Sequence, residues 1–557
     1  MPKFLSIFLK VLLCVAIAAG CYFWVTGMIA SNYLYRSPLK DSAPTPGAAL
    51  GKASTRRVVI VLIDALRYDT SLKTDVMPTL AKLRDAGASA IMHSQAPSFS
   101  EPGYSTLLTG AWPYLNDGPV FNLDYGKIPT FTQDNLFSAA HRAGFKTAIS
   151  GYYWFEELVP QSDVDFSFYT PGEDKAADKD VIAAALPWLK ENNSQLVLIH
   201  IDQVDYAGHH EGGAASQAWL DAAKRSDAML AQIVATLDLS QDTIVVLSDH
   251  GQIDAGGHGG QDPITLLEPF VIAGASVVPG SYADMNQVDV APTVAALLGV
   301  SLPASTQGVV LTEMLKLDQS VLDALPGAIE MQQTNLLNAY AKAVGISLES
   351  SRIPTGSDVS QYQSVLTQLR QNKMFSERIP RALIAAVFLA LCVLWLTKNF
   401  KKGSGAWIIA GLVFAFLFNY RYGVYDQKTY SLASVTSETE LIMYIGITAA
   451  VVLAFAWLCI FLDRRYFRMT PGQAAHMTLG LVLTTAFING LPAILSFVIN
   501  GVVLTWTLPN YLFEFLGMLS LIEVLFICAV GLVLTGIAAL LAWLVTRNAN
   551  KEKAKAK

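Results

Sequence analysis

Six apolar runs constrain the fold of this chain more than any other feature of its sequence. A helix needs about 20 mostly apolar residues to cross the hydrocarbon core of a bilayer. Only 15% of the 557 residues are charged, against about 25% in soluble proteins. A purely soluble, disordered or collagen-like protein is therefore excluded, and we predict six membrane spans. The runs cover residues 11–30, 382–397, 406–420, 441–462, 479–505 and 515–545.

The basic residues predict on which side of the membrane the termini and loops lie. The first run continues past Cys21, so we expect an uncleaved anchor, with a cleaved signal peptide as the alternative. Because cytosolic loops carry an excess of Lys and Arg, both termini are expected in the cytosol. Residues 31–378 would then face a cell surface, a periplasm or an ER lumen. The basic residues are Lys398, Lys401, Lys402, Arg464, Arg465, Arg468, Arg547, Lys551, Lys553, Lys555 and Lys557.

Composition divides the chain into six parts. A stretch rich in Pro, Ala, Gly and Ser at 37–54 is typical of a tether. Residues 312–378 have the pattern of polar helices that return the chain to the membrane. The predicted parts are an anchor (1–30), a tether (31–56), a catalytic domain (57–315), a helical connector (316–380), a five-span membrane domain (381–546) and a basic cytosolic tail (547–557).

The part before the second span has the pattern of an α/β domain. Residues 58–63, 196–201 and 243–247 are continuous apolar runs typical of strands buried on both faces. Amphipathic stretches at 77–86, 134–143 and 214–237 alternate with them. This alternation predicts a mostly parallel sheet flanked by helices. Ligands of such sheets bind beyond the carboxyl ends of the strands, where these runs end at Asp64, Asp202 and Asp249–His250.

The acidic and histidine residues of this domain suit two metal sites. Asp205 and His209 are spaced i, i+4, and His258 lies among four glycines that let the backbone bend around an ion. With Asp64, Asp249 and His250 they make two mixed nitrogen and oxygen sites. Imidazole combined with carboxylate suits Zn or Mn better than Ca. We therefore expect two divalent ions, Zn or Mn.

A serine near the start of a predicted helix is the candidate nucleophile. Free backbone N–H groups at a helix start can hold a phosphate, and a metal-coordinated serine oxygen is a stronger nucleophile. Ser100 fits this role, and Ser98 is the alternative. Alternatively, the serine only caps the helix and takes no part in chemistry.

Together these motifs resemble the alkaline phosphatase superfamily, in its type I phosphodiesterase and nucleotide pyrophosphatase branch. They are most similar to the glycosylphosphatidylinositol (GPI) ethanolamine-phosphate transferases. The resemblance extends from about residue 57 to 315. It rests on Ser100-x-Pro102-Gly103, Phe121-Asn122, Ser248-Asp249-His250-Gly251, Asp254, Gly256, His258, Gly259, and the segment 287–293 with its following Leu297-Leu298-Gly299.

The resemblance implies a role for each matching residue. Asp205, His209 and His258 would hold one metal, and Asp64, Asp249 and His250 the other. Ser100 would lie between the ions as a metal-coordinated nucleophile, and Asn122 would bind a phosphate oxygen. His200, Asp202 and His210 receive no role. The transferases usually have a larger membrane part than this chain.

We therefore predict a membrane-bound, two-metal phosphodiesterase or phosphotransferase, similar to a phosphoethanolamine transferase. Its substrate would be a phosphodiester in a lipid or glycolipid. One alternative is a sulfatase, although Tyr104 stands where the sulfatase signature has arginine. Another is a non-catalytic membrane protein with a degenerate phosphatase-like domain. The net charge of −6 gives no sign of a nucleic-acid partner.

Overall fold

The computed structural model describes residues 3–399, 404–435, 437–461 and 469–555. Lys401, Lys402, Arg464, Arg465, Arg468 and Lys557, which contributed to the predicted orientation, lie outside these residues. The strands are β1 Arg57–Ile63, β2 Ala88–His93, β3 Thr147–Tyr152, β4 Phe166–Thr170, β5 Leu196–Ile201, β6 Asp242–Leu247, β7 Leu267–Gly274, β8 Gly280–Ser281 and β9 Met285–Asn286.

Helices surround these strands and form the membrane part. The helices before residue 345 are α1 Lys3–Tyr33, α2 Tyr68–Ser71, α3 Pro78–Ala86, α4 Ser100–Thr109, α5 Pro113–Asn116, α6 Leu136–Arg142, α7 Trp154–Leu158, α8 Lys175–Glu191, α9 Gln203–His210, α10 Gln217–Val234, α11 Val290–Leu298 and α12 Gln319–Ala343. Those after it are α13 Val359–Asn399, α14 Ser404–Asn419, α15 Glu438–Phe461, α16 Pro471–Asn489, α17 Leu491–Asn500 and α18 Tyr511–Lys555.

The strands form one mixed sheet in the order β4-β3-β5-β1-β6-β7-β2-β8, with β9 also paired to β2. β1 is parallel to both β5 and β6, whereas β7 is antiparallel to β6 and β2. Alternate residues of β1 enter two different cores: Val58, Ile60 and Leu62 one, Val59, Val61 and Ile63 the other. Both faces of the strand are therefore covered by helices, and the predicted fold class is confirmed.

Among the described residues, six helical segments are long and apolar enough to cross a membrane. They are Phe4–Tyr33, Val359–Lys398, Gly405–Tyr425, Glu438–Phe461, Pro471–Asn500 and Tyr511–Asn548. The predicted number of spans is confirmed, and the protein is a multi-pass membrane protein. The fifth segment consists of α16 and α17, which meet at Gly490 because Pro492 cannot continue the hydrogen-bond ladder of α16.

The stretch predicted as a tether packs on the α/β domain. Leu39 and Leu50 are buried, the Gly51 N–H donates to the Gly299 carbonyl, and the Gln133 side chain donates to the Leu39 carbonyl. α1, the predicted anchor, shares an apolar core with α14, α15, α16 and α18.

The domain also contacts the membrane part close to the end of the sheet where the site lies. The Gln261 side chain donates to the Tyr430 carbonyl at 2.9 Å, between α14 and α15. The Phe121 ring lies 5.3 Å from that of Tyr33, at the end of α1. The edge of the sheet that carries the acidic residues is therefore held beside the membrane helices.

Candidate active site

The register of the central strands brings three acidic residues to one edge of the sheet. Ile63 is paired with Ile201, and Leu62 with Leu247. The residues that follow these strands, Asp64, Asp202 and Asp249, therefore leave the sheet together. All three are buried. The groups of carboxylate and imidazole ligands that could hold a metal ion are Asp64/Asp249/His250, Asp205/His250/His258 and Asp64/Asp202/Asp205.

The first cluster joins Asp64, Asp249 and His250. His250 Nε2 lies 3.5 Å from Asp64 Oδ1 and 3.4 Å from Asp249 Oδ2. Ala65 adopts a left-handed conformation (φ 56°), and its N–H donates to Asp249 Oδ1 at 3.2 Å. Burial, and then the charge of Asp64, raises the pKa of the Asp249 carboxyl.

The second cluster joins Asp205, His209 and His258. His209 Nε2 lies 2.8 Å from His258 Nε2 and 3.4 Å from Asp205 Oδ2. His258 Nε2 lies 3.6 Å from Asp205 Oδ1, to which the Gln252 side chain also donates a hydrogen bond. The rings of His258 and His250 are stacked with centroids 4.1 Å apart, so the two clusters are adjacent.

Two observations indicate that these clusters suit cations. His250 Nδ1 lies 3.0 Å from the Gly251 carbonyl, and His258 Nδ1 lies 3.1 Å from the Ser98 carbonyl. If both Nδ1 atoms donate, each Nε2 presents a lone pair to the cluster, as in metal-binding histidines. Asp64 Oδ1 and Asp249 Oδ2 are buried without a hydrogen-bond partner among the described residues. Buried carboxylates are costly unless a positive charge compensates them, and a divalent ion would supply it.

Ser100 is the first residue of α4 and lies against the first cluster. Its Oγ is 3.1 Å from His250 Nε2, and the residue is buried. Gly103 permits this approach, because a Cβ there would lie 2.8 Å from the Cβ of Asp249. The N-terminal end of α4, where backbone N–H groups point outward, is thus directed at the metal-ligand candidates.

Ser98 has a different environment. Its hydroxyl donates to the Gly260 carbonyl and contacts Thr265 Oγ1, and it accepts from the Gly259 N–H. These contacts tie the loop before α4 to the loop that carries His258. A packing role for Ser98 therefore accounts for all of its contacts.

Asn122 lies beside the nucleophile candidate. Its Oδ1 accepts a hydrogen bond from the backbone N–H of Glu101 at 3.1 Å, one residue from Ser100. Glu101 is fully buried and accepts from the Leu123 N–H at 3.1 Å, and burial raises the pKa of its carboxyl to about 9. Glu101 thus anchors the loop that carries Asn122, a role that no motif in the sequence indicated.

Sequence reasoning also missed a buried group behind Asp64. The Tyr104 hydroxyl donates to Asp64 Oδ2 and lies 2.9 Å from His200 Nε2, which is itself 3.0 Å from Asp64 Oδ2. The Tyr152 N–H donates to His200 Nδ1, so His200 Nε2 is the protonated nitrogen. The i, i+4 spacing of Ser100 and Tyr104 on a predicted helix was the available signal. His210, by contrast, is exposed and packs its ring on Tyr206.

Comparison with known families identifies the α/β domain. Residues 58–266 match the family model described as type I phosphodiesterase/nucleotide pyrophosphatase. The domain is of this family, and the resemblance inferred from the motifs is confirmed.

Three relatives illustrate the similarity. Human GPI ethanolamine phosphate transferase 2, catalytic subunit, is 26% identical over 313 residues, which is 49% of this chain and 31% of that protein. GPI ethanolamine phosphate transferase 2 of Aspergillus fumigatus is 25% identical over 50% of this chain and 40% of its own length. Human GPI ethanolamine phosphate transferase 3, catalytic subunit, is 23% identical over 65% and 35%. The chain thus spans about a third to two fifths of these relatives.

Among solved structures, murine ectonucleotide pyrophosphatase/phosphodiesterase 5 is similar at 14% identity. The match covers 47% of this chain and 100% of that chain, with a TM-score of 0.40.

Proposed function

We propose, on the premise that residues 58–266 form a type I phosphodiesterase domain, that this membrane protein transfers a phosphoethanolamine-type group from a phosphodiester to an acceptor hydroxyl. Ser100 is the nucleophile, and the clusters beside it would hold two divalent ions, Zn or Mn. The GPI ethanolamine phosphate transferases among its relatives support transfer over sulfate-ester hydrolysis. The degenerate-domain alternative is disfavoured because every residue that the chemistry needs is present.

One observation carries this proposal. The Oγ of Ser100, at the start of α4, lies 3.1 Å from His250 Nε2, at the meeting point of two clusters of carboxylates and imidazoles. This position fits a hydroxyl that reacts there or completes a ligand set.

Each residue of the site has a separate role in the proposed reaction. Asp64, Asp249 and His250 would hold one ion, and Asp205, His209 and His258 the other. The ions would lower the pKa of the Ser100 hydroxyl and neutralise charge on the phosphate oxygens. The Ser100 N–H and the side-chain NH2 of Asn122, whose Oδ1 accepts from the Glu101 N–H, orient the remaining phosphate oxygens. Tyr104 and His200 fix the orientation of Asp64.

The reaction takes two steps. The Oγ of Ser100 attacks phosphorus, and the bond to the leaving alkoxide breaks as the Oγ–P bond forms. The proton that Ser100 loses is taken up by the leaving alkoxide through solvent, which leaves a phosphodiester on Ser100. In the second step an acceptor hydroxyl attacks the same phosphorus, the Oγ–P bond breaks, and the acceptor's proton returns to Ser100.

A lipid or glycolipid substrate is supported by the contacts of the site with the membrane part. The loop that carries His258 continues to Gln261, which bonds to Tyr430, and Phe121 beside Asn122 contacts Tyr33 of α1. The basic residues that flank the spans support an extracytosolic location for this domain.

The test is to capture the intermediate. The full chain, reconstituted in vesicles of phosphatidylethanolamine with Zn²⁺ or Mn²⁺, is quenched in acid and its peptides are analysed by mass spectrometry. We expect a phosphoethanolamine adduct on Ser100 that disappears when an acceptor is added and is absent from Asp249→Ala. Turnover of the lipid by a chain that carries the adduct on another residue would contradict the assignment of Ser100.

A further inference from the structure

A polar cavity of about 210 Å³ lies beside residues 370–381 of α13, just before its apolar part, opposite the end of α17 and residues 505–510. Three arginines of α13, Arg370, Arg378 and Arg381, line it, and Glu377 is the one acidic residue in its lining. The lining therefore carries a net charge of +2, from three positive groups and one negative group. An excess of guanidinium groups around a cavity favours the binding of an anionic ligand.

Most of the donors of these arginines are not engaged in the hydrogen bonds of the cavity wall. Arg370 Nε donates to Thr507 Oγ1 at 2.9 Å, and Arg378 Nε donates to the Ile499 carbonyl at 3.1 Å. Arg381 donates to Glu377 at 3.2 Å through Nη2. Each guanidinium has five N–H donors in a planar fork, so the Nη groups of Arg370 and Arg378 remain for a ligand with several oxygens.

An apolar groove of about 540 Å³ lies deeper along the same helices. Its walls include Phe388 and Leu391 of α13, Ile494 of α17, and Gly20 of α1. Arg381 lies close to Gly501, just beyond α17, while Phe388 and Ile494 face the groove, so α13 and α17 run antiparallel past both cavities. Phe388 is seven residues, or about 10 Å of helix, deeper than Arg381.

Two tryptophans mark the boundary between the cavities. The Trp506 indole donates to Glu377 in the polar cavity, and the Trp24 indole, which lines the groove, donates to the Val502 carbonyl. Tryptophans with a bonded N–H are typical of the membrane–water interface. The arginines thus lie at headgroup depth, and the groove lies at the depth of the acyl chains.

We infer that this cleft, the arginine cavity together with the groove, binds one anionic phospholipid, with its phosphate on Arg370, Arg378 and Arg381 and an acyl chain in the groove. The charge surplus selects an anionic headgroup, and the apolar walls select a lipid over free phosphate. This site is separate from the metal-ligand clusters and does not depend on the proposed transfer reaction.

The first test removes the positive charge of two of the arginines that line the cavity. The full chain in detergent is titrated with phosphatidylglycerol, and lipid retention is measured by native mass spectrometry. We expect one retained lipid per wild-type chain and about tenfold or weaker binding for Arg378→Gln/Arg381→Gln, since each charge-assisted contact contributes strongly. The matched control, Arg421→Gln/Lys428→Gln, removes two positive charges from the loop after α14 and should bind as the wild type does. Equal loss in both double variants would overturn the site in favour of general charge attraction.

The second test fills the groove. A Cβ at Gly20 or at Gly536 would meet no atom within 4 Å, so both glycines accept a larger side chain. Gly20→Phe should reduce lipid retention about tenfold, whereas Gly536→Phe, on a part of α18 outside the groove, should not. Unchanged retention in Gly20→Phe would overturn the assignment of the acyl chain.

Complete competition by millimolar inorganic phosphate would show that phosphate alone is the ligand and would overturn the lipid proposal.

Discussion

The Nε2 atoms of His209 and His258 lie 2.8 Å apart. Burial, and then the neighbouring His250 and His209, lowers the pKa of His258, so that its ring is neutral and presents a lone pair. Asp205 lies within 3.6 Å of both rings. Two imidazole nitrogens and a carboxylate that converge on one point provide mixed nitrogen and oxygen ligation, which suits Zn or Mn.

This relationship predicts the effect of removing one histidine on metal content. The purified wild type should hold about two Zn or Mn ions per chain by elemental mass spectrometry, and His258→Ala about one. His210→Ala is the matched control, because His210 is the neighbour of His209 but packs on Tyr206, and it should retain both ions. One Ca per chain would instead favour the sulfatase alternative, and a chain without metal would favour the degenerate domain.

Replacement of the nucleophile should separate catalysis from metal binding. Ser100→Ala should lower the transfer rate by roughly 10³-fold or more, while the metal content stays at two ions. Ser105→Ala on the same helix is the control, because the buried Ser105 hydroxyl has no hydrogen-bond partner among the described residues. Near wild-type transfer by Ser100→Ala would make the nucleophile assignment wrong, and the same assay on Ser98→Ala would then decide for or against Ser98.

Removal of the Tyr104 hydroxyl should weaken the first metal site without removing a ligand. Tyr104→Phe loses the hydrogen bonds to Asp64 and His200, and loss of such an outer contact costs about 10- to 100-fold in metal affinity. The measurement is competition for Zn²⁺ with a chelator of known affinity. Tyr340→Phe, whose buried hydroxyl has no described partner, should leave the affinity unchanged. Equal affinities for wild type and Tyr104→Phe would contradict this role.

A buried carboxyl outside the site should make stability depend on pH. Burial raises the pKa of Glu268 well above its usual range, and the Ser94 hydroxyl donates to it at 2.7 Å. The folded state therefore holds this proton more tightly than the unfolded state does. The free energy of unfolding should fall as pH rises above about 4.3, until the folded carboxyl has ionised.

Glu268→Gln keeps an acceptor for Ser94 and has no proton to lose. Its Tm, measured by intrinsic fluorescence in detergent, should exceed that of the wild type by a margin that grows with pH. Glu313→Gln, on an exposed side chain, controls for the loss of one negative charge. A difference between Glu268→Gln and wild type that stays constant from acidic to alkaline pH would contradict the prediction.

The central strands and the membrane spans could be predicted from the sequence because the apolar patterns that indicate them are local and periodic. A continuous apolar run rich in β-branched residues, such as Val58–Ile63, favours a strand covered on both faces, and that covering is observed. An apolar run of about 20 residues favours a spanning helix, and the two shorter runs, 382–397 and 406–420, lie within longer helical segments of the structure. The parallel arrangement of such strands brings residues that are distant in sequence, such as Asp64 and Asp249, to one edge of the sheet.

Local patterns in the sequence thus predicted three central strands, β1, β5 and β6, the six spans and the edge of the sheet where the chemistry-bearing residues meet. Three features are visible only in the folded chain: the contact of Tyr104 with Asp64 and His200, the packing of residues 37–54 on the domain, and the alignment of the arginine cavity with an apolar groove. These features depend on contacts between segments far apart in the chain. A hydrogen bond or a cavity between such segments leaves no periodic trace in the sequence of either one.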